Sequence, residues 1–424
     1  MLLSLPRDTL PEGRGLGFVR IPGSKSATNR AFLLAAISPG ESLLAGTLEA
    51  EDTRWMQEAL GSCGVPCERT AEGWHIRGGA APRPERPIWV GASGTTLRFL
   101  LPWLAWASRA PVEIRGEPRL FERPLAPLVQ ALAPWGVEWR PHGEGGILQP
   151  APNPPLRLEA RVEAELSSQF LSGLAMTAAG LPGGGRLSWE GPAASASYLR
   201  LTAQWLECFG CLSSLDPHQW EIPGGCLRGS EVRIPGDWSG AAAFLAAGAA
   251  TGRQVEVGDL DPEDEQRDRD LLGFLERAGC TVTAGRGRVR VAGPLCRGFE
   301  EDLEACPDLG PVMAALAALA PEPSVLTGLQ TLPHKECDRL EASADLVAWL
   351  GGRAQVVGGH TLRVQPGKPP PERAPYDPRH DHRMAFAAAV GGLRHGGELL
   401  DPHCVGKTLP NFWELWAGML RGAP

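Results

Sequence analysis

The stretch SGTTLRFLLPWLA, residues 93–105, sets a polar head of serine, glycine and two threonines ahead of an almost wholly apolar body. Five other stretches share that design: SKSATNRAFLLAA (24–36), SSQFLSGLAMTAA (167–179), WSGAAAFLAAGAA (238–250), PDLGPVMAALAALA (307–320) and DHRMAFAAAVGG (381–392). Measured from Ser24, Ser93, Ser168, Ser239, Asp308 and Asp381, the successive steps are 69, 75, 71, 69 and 73 residues. Serine and aspartate accept hydrogen bonds from the open N–H groups of a first helical turn, so these positions read as N-caps. A body that is apolar on nearly every side reads as a helix buried all round. A second series lies between these starts. Leu60 and Gly64, Leu132 and Gly136, Leu206 and Gly210, Leu275 and Gly279, and Val347 and Gly351 mark five helix ends, with the glycines 72, 74, 69 and 72 residues apart. Glycine suits the left-handed residue that closes a helix, and the β-branched residues that follow predict strands. The chain therefore reads as six repeats of about 70 residues, each with one buried helix, one amphipathic helix and strands. The last, ending in LPNFWELWAGML, has no strand after it, so the N-terminal segment is expected to complete its sheet.

A chain of 424 residues exceeds one ordinary core and suits two domains of roughly 200 residues. With 43% hydrophobic and 21% charged residues and no apolar run of membrane length, it reads as a globular, cytoplasmic protein that does not enter a membrane. The opening MLLSLPRDTLPEGRG is too short and too acidic for a secretory signal. Ten cysteines read as reduced, mostly buried thiols rather than disulfides, and neither Cys63 with Cys67 nor Cys208 with Cys211 has the partners of a metal site. A net charge of −8 argues against nucleic acid as a partner. Of 41 basic residues only Lys25, Lys335, Lys368 and Lys407 are lysine. In a chain that otherwise prefers arginine, a retained lysine marks a place that needs a compact ammonium group.

Each buried helix begins with the polar residues of its repeat, and helix N-termini attract anions through their free N–H groups and partial positive charge. If the six starts face one cleft, that cleft is an anion site in a chain of negative net charge. In order along the chain stand Pro22-Gly23-Ser24-Lys25-Ser26 with Arg30, and Gly91-Ala92-Ser93-Gly94-Thr95-Thr96-Leu97-Arg98. Gly116-Glu117-Pro118-Arg119 with Glu122-Arg123-Pro124 follow, then Ser167-Ser168-Gln169 with Ser195 and Tyr198. The second half carries Pro307-Asp308, His334-Lys335-Glu336-Cys337-Asp338-Arg339-Leu340, Asp381-His382-Arg383-Met384 and Lys407-Thr408. Taken singly, these pieces have plain readings. Glu336 and Arg339 suit a surface pair on a solvated helix, His382 a core or capping histidine, Ser167 and Ser168 simple caps, and Tyr198 packing. Taken as an ordered set along the whole chain, they resemble the 5-enolpyruvylshikimate-3-phosphate synthase family.

The resemblance implies an α/β (α+β) fold of two similar domains, each of three repeats with buried helices surrounded by mixed sheets, that close over the substrates. It places residues 1–20 and 236–424 in a discontinuous domain carrying the general acid, the general base and most phosphoenolpyruvate contacts. Residues 21–235 form the domain with most shikimate-3-phosphate contacts. The implied reaction moves the enolpyruvyl group of phosphoenolpyruvate to the 5-hydroxyl of shikimate-3-phosphate and releases phosphate, with no metal and no cofactor, in a monomer. By the same resemblance Lys25 touches both substrates. Ser26, Arg30, Ser167, Ser168, Gln169, Ser195, Asp308 and Lys335 join it on shikimate-3-phosphate, and Gly94, Arg123, Gln169, Arg339, Arg383 and Lys407 on phosphoenolpyruvate. Asp308 takes the hydroxyl proton, Glu336 delivers one to the methylene carbon, and His382 and Tyr198 lie near the site, as do His334, Arg119 and Asp237.

The chemistry asks for these types independently. A carboxylate and a phosphate suit planar arginine forks and point-charge lysines, and moving one proton off oxygen and another onto carbon asks for two carboxyl groups in different environments. The chain departs from the family pattern at Ala92, Ala196 and Thr331, where asparagine, a basic residue and asparagine are usual. Ala92 and Phe99 flank the phosphoenolpyruvate motif, so altered sensitivity to the herbicide glyphosate, a competitor at that site in the family, is expected. Two other readings are a UDP-N-acetylglucosamine enolpyruvyl transferase and a non-catalytic anion-binding relative. The first usually carries a reactive cysteine in the loop that is Gly116 to Pro124 here, and that loop has none. The second needs neither Asp308 nor Glu336.

Overall fold

The computed structural model describes every residue except 1, 9, 12, 164–166, 192–195, 371 and 423–424. The chain divides into two compact units, one made of Met1–Ser24 with Pro235–Pro424 and the other of Lys25–Ile234. The first crossing thus falls four residues later than the sequence expectation. Hydrogen bonding within the discontinuous unit accounts for the shift. The Ser24 N–H donates to Pro235 O at 2.8 Å, the Asp237 N–H to Pro22 O at 3.0 Å, and Gly23 and Gly236 form an antiparallel bridge. Residues 22–24 are therefore held in the same unit as 235–237. Glycine is required at 236, because a Cβ there would lie 2.4 Å from Asp259 O.

In the unit Lys25–Ile234 three four-stranded sheets share one topology. Their strand orders are Glu231–Arg233, Gly40–Ala45, Trp74–Gly78, Cys67–Arg69; then Ile88–Trp89, Val112–Arg115, Gly145–Gln149, Glu138–Pro141; then Leu158–Arg161, Gly185–Ser188, Gln219–Ile222, Ser214–Leu215. In each, the first pair is parallel and the other two are antiparallel. A parallel pair needs a long crossover, and in the second and third sheets the buried helices Gly94–Ala107 and Ser168–Gly180 supply it. The discontinuous unit repeats the pattern with Phe18–Arg20, Gln254–Gly258, Arg288–Ala292, Thr281–Gly285 and with Glu300–Asp302, Ser324–Thr327, Thr361–Gln365, Arg353–Val357. Its last sheet is the antiparallel pair Leu2–Leu5 and Gly397–Leu400, with Tyr376 bridged to Leu399. The N-terminal strand completes that sheet.

Two strands are exchanged. Phe18–Arg20 immediately precedes the helix Lys25–Ile37 but pairs in the discontinuous unit with Gln254–Gly258. Glu231–Arg233 precedes the helix Trp238–Thr251 but pairs with Gly40–Ala45 in the other unit. The first repeat of each unit is thus closed by a strand more than 180 positions away in sequence.

The six buried helices form as their composition requires: every residue from Trp238 to Ala250 and all of Gly310–Leu319 is buried. The caps are Ser93, Ser167, Asp237 and Asp381, each accepting a hydrogen bond from a first-turn N–H. In the third and fourth repeats the cap therefore lies one and two residues before Ser168 and Ser239. In the fifth, Asp308 lies in a 3-10 turn, Pro307–Leu309, ahead of the helix Gly310–Leu319. The helix-closing glycines 64, 136, 210, 279 and 351 all take left-handed φ, from 78° to 102°. Helices Gly94–Ala107 and Ser168–Gly180 touch at Gly173, where a Cβ would lie 2.5 Å from Arg98 O. Pro102, four residues on, has no N–H to give that carbonyl, so a glycine backbone can close against it.

One thiol expectation is corrected. Cys211 and Cys226 are joined as a disulfide with Cα atoms 4.9 Å apart, while eight other cysteines are free. The close approach comes from the loop after Gln219–Ile222 folding back over the end of the helix Ser197–Cys208, which a spacing of 15 residues does not announce. Among the described residues no helix is long and apolar enough to cross a membrane.

Candidate active site

In the unit Lys25–Ile234 the expected residues gather at the starts of three buried helices. Lys25, the first residue of its helix, puts Nζ 3.2 Å from Asp52 Oδ2, and both side chains are largely buried. Arg30, one turn on, is 2% exposed. Its guanidinium donates to Thr202 Oγ1 at 2.7 Å, Ser26 O at 2.8 Å, Tyr198 O at 3.3 Å and Ser172 Oγ at 3.4 Å, and packs 5.1 Å from the Phe99 ring centre. Burial brings its pKa down to about 10. The structure thus places Arg30 as an internal brace linking Ser26 to the Tyr198 turn. Ser26 and Tyr198 take part through their carbonyl groups, and Tyr198 O also accepts from Thr202 Oγ1 at 2.8 Å.

The second and third helix starts adjoin. Ser93 caps the helix Gly94–Ala107, and the Arg123 guanidinium lies over Gly94, where a Cβ would meet Nη1 at 2.9 Å. A side chain at 94 would make that cation shift away from the helix N-terminus. Arg123 Nε is buried with no hydrogen-bond partner among the described residues. Ser167 caps the helix that opens with the buried Ser168, and the Gln169 side chain bonds Arg98 and Thr95. Ser195 lies outside the described residues. Arg119 is in an exposed pair with Glu122, 2.6 Å.

In the discontinuous unit one buried guanidinium organises the rest. Arg339, 2% exposed, binds Asp381 Oδ2 at 2.7 Å, Glu336 Oε2 at 2.7 Å and Asp308 Oδ1 at 2.8 Å. Burial alone would depress its pKa, but the negative charges of Asp381, Glu336 and Asp308 raise it well above the ordinary value. Lys335 Nζ lies 3.3 Å from Asp308 Oδ1, Lys407 Nζ 3.2 Å from Glu336 Oε1 and Arg383 Nη2 3.8 Å from Asp308 Oδ2. The two carboxylates expected to move protons are therefore held on opposite arms of one fork, each with a lysine of its own. Asp381 both clamps Arg339 and caps the helix His382–His395. The chain reaches it through Arg379 and His380, both left-handed at φ 54° and 57°. Such conformations cost of order 1 kcal/mol or more each in non-glycine residues and concentrate at functional sites. His382 is fully buried, edge-on to Phe386, with Nδ1 3.7 Å from Asp381 Oδ1. Asp237 caps its helix through the Gly240 N–H, and His334 is exposed.

Two carboxyl groups emerge that the sequence did not single out. Asp52 is 3% exposed, behind Lys25, and reads in sequence only as an ordinary first-turn acid. Asp268 is 5% exposed and accepts from Ser239 Oγ at 2.8 Å. It lies in EDEQRDRD, residues 263–270, which looks like a solvated run. Burial first, and the charge of Asp308 second, push its pKa up to about 7. Both clusters concentrate basic groups despite the net −8 of the chain. Lys25 pairs with Asp52 in one unit, which also holds Arg30, Arg98 and Arg123, and Lys335, Arg339, Arg383 and Lys407 lie among Asp308, Glu336, Asp381, Asp237 and Asp268 in the other.

Known proteins match this chain over nearly its whole length. The model of the EPSP synthase (3-phosphoshikimate 1-carboxyvinyltransferase) family matches residues 12–416. A 3-phosphoshikimate 1-carboxyvinyltransferase of Methanoculleus marisnigri is 36% identical over 412 residues, covering 94% of this chain and 95% of the relative. One of Mycobacterium ulcerans is 35% identical over 423 residues, 96% of this chain and 95% of the relative. Among solved structures, EPSP synthase from Acinetobacter baumannii shares the fold with a TM-score of 0.78 at 24% identity, covering 99% and 98% of the two chains.

Proposed function

This chain belongs to the EPSP synthase (3-phosphoshikimate 1-carboxyvinyltransferase) family, a transferase of aromatic amino acid biosynthesis that takes shikimate-3-phosphate and phosphoenolpyruvate as substrates, and from that premise we propose how its residues divide the reaction. Asp308 accepts the proton of the 5-hydroxyl as the oxygen attacks C2 of phosphoenolpyruvate, and Glu336 gives a proton to the methylene carbon. The adduct then loses phosphate from C2 and a proton from the new methyl group, restoring the double bond as an enol ether.

The observation that carries this reading is the Arg339 fork, with Asp308 and Glu336 on separate guanidinium nitrogens at 2.8 and 2.7 Å. One cation orients a base and an acid and keeps them from sharing a proton. Lys407 and Arg339 both lie on Glu336. A phosphoenolpyruvate anion that draws these cations to itself leaves Glu336 with less compensation and readier to hold the proton it must donate. Lys25, Lys335, Arg123, Arg383 and the starts of the helices Gly94–Ala107 and Ser168–Gly180 supply charge and donors for two phosphates and two carboxylates. Ser26, Ser167, Ser168 and Ser195 join Lys25 on shikimate-3-phosphate. Arg30, bonded on several sides, serves that substrate by holding Ser26 and the Tyr198 turn.

Phosphate release followed in the presence of one or both substrates is the test. Release that requires both upholds the assignment. Release from phosphoenolpyruvate alone, or none at all, overturns it.

A further inference from the structure

The bonds of Gln169 are settled by a neighbour that has no direct part in the proposed reaction. Arg98 lies one turn into the helix Gly94–Ala107 and is 5% exposed. Its Nη1 donates to Gln169 Oε1 at 2.7 Å and its Nη2 to Pro124 O at 3.0 Å, and its guanidinium carbon lies 5.3 Å from the Phe170 ring centre. A guanidinium can only donate, so the oxygen of the Gln169 amide must be the atom that faces it. The nitrogen then points the other way, and one of its hydrogens goes to Thr95 Oγ1 at 3.2 Å. Among the described residues the second amide hydrogen of this half-buried side chain meets no acceptor and is left for one from outside. Had Arg98 been apolar, the amide could turn over and present its oxygen instead, which repels an anion.

We propose that Arg98 is a positioning residue that fixes Gln169 as a hydrogen-bond donor toward substrate and, through Pro124 O, holds the turn carrying Arg123 in register with it. This rests on the reading of Gln169 and Arg123 as substrate-binding residues. A single buried cation thereby sets the polarity of one contact and the place of another. The substrate oxygen that meets Gln169 is an acceptor: a phosphate, carboxylate or hydroxyl oxygen.

The decisive variant is Gln169→Glu, which keeps the shape and the Arg98 contact but offers only oxygen atoms to substrate. Its melting temperature should equal or exceed that of the unaltered chain, while KM for at least one substrate rises about 10- to 100-fold, the loss expected when a donor to a charged group is replaced. KM values for both substrates within twofold of the unaltered chain would overturn the proposal. Arg98→Lys, Gln169→Ala and their combination give a second reading, because residues that act through one another do not lose independently. The combined rise in KM should fall well short of the product of the single rises, and a full product would likewise overturn the proposal. Titration calorimetry with shikimate-3-phosphate and with phosphoenolpyruvate reads the same comparison as Kd. The proposal is therefore decided even if phosphate release by the unaltered chain fails and the assignment of the reaction with it.

Discussion

Replacing Asp268 by asparagine should stabilise the protein, and increasingly so as pH rises above about 4. Asp268 is 5% exposed, accepts from Ser239 Oγ, and faces Asp308, Asp237 and Arg383. Burial, then Asp308, raise its pKa from 3.8 to about 7, with Arg383 and Ser239 opposing. The folded chain therefore keeps a proton that the unfolded chain releases near pH 4. Below that point both states hold it and nothing is lost. Between about pH 4 and pH 7 the unfolded state binds fewer protons, so stability falls as pH rises, and above about pH 7 the loss is constant. At about 1.4 kcal/mol per pH unit the span amounts to roughly 4 kcal/mol. Asparagine keeps an oxygen for the Ser239 hydroxyl and cannot ionise. Denaturant unfolding at about pH 5 and about pH 8 should show Asp268→Asn more stable than the unaltered chain at both, with a gain larger by roughly 2 to 3 kcal/mol at the higher pH. A variant that is less stable at pH 8, or whose advantage does not change with pH, would refute the reasoning.

Glu336→Gln keeps the shape of the side chain but cannot donate an acidic proton; kcat should fall by about 10²- to 10⁴-fold with KM within a few-fold, and a near-normal kcat removes Glu336 from the proton path. Asp52→Asn takes the charge from behind Lys25, so kcat/KM should drop about tenfold or more and unfolding free energy by about 1 to 3 kcal/mol; unchanged values in both assays would show that Lys25 needs no anchor. Gly173→Ala drives a methyl group to 2.5 Å from Arg98 O, which should cost about 1 to 3 kcal/mol in thermal or denaturant unfolding and raise KM through the displaced Arg98. A variant of wild-type stability would mean that the two helices part without strain.

The repeat was legible because burial on all sides demands an apolar body, and because a helix that must stop before a strand leaves a glycine such as Gly64 or Gly351 behind. The retained lysines were legible for a related reason: Lys25, Lys335 and Lys407 all lie against carboxylates that a compact ammonium reaches within 3.3 Å. Asp52 and Asp268 were not legible, since nothing in a line of letters separates a buried acid from a solvated one. The fate of Arg30 was hidden likewise. Its partners Ser172, Tyr198 and Thr202 lie more than 140 positions away and carry no pattern that points to it. The caps slipped by one or two residues because Ser167, Ser168, Asp237 and Ser239 are all competent, and only the backbone selects among them.

The exchanged strands dictate an order of events during synthesis. Lys25–Ile234 holds every strand of its three sheets once Glu231–Arg233 has been made, so it can condense while the ribosome is still at work. Residues made earlier must wait longer. Phe18–Arg20 has no partner until Gln254–Gly258 appears, and Leu2–Leu5 none until Gly397–Leu400. Strands made before the unit Lys25–Ile234 are thus among the last to find their places, Phe18–Arg20 shortly after that unit is complete and Leu2–Leu5 long after it, each with an unpaired edge until then.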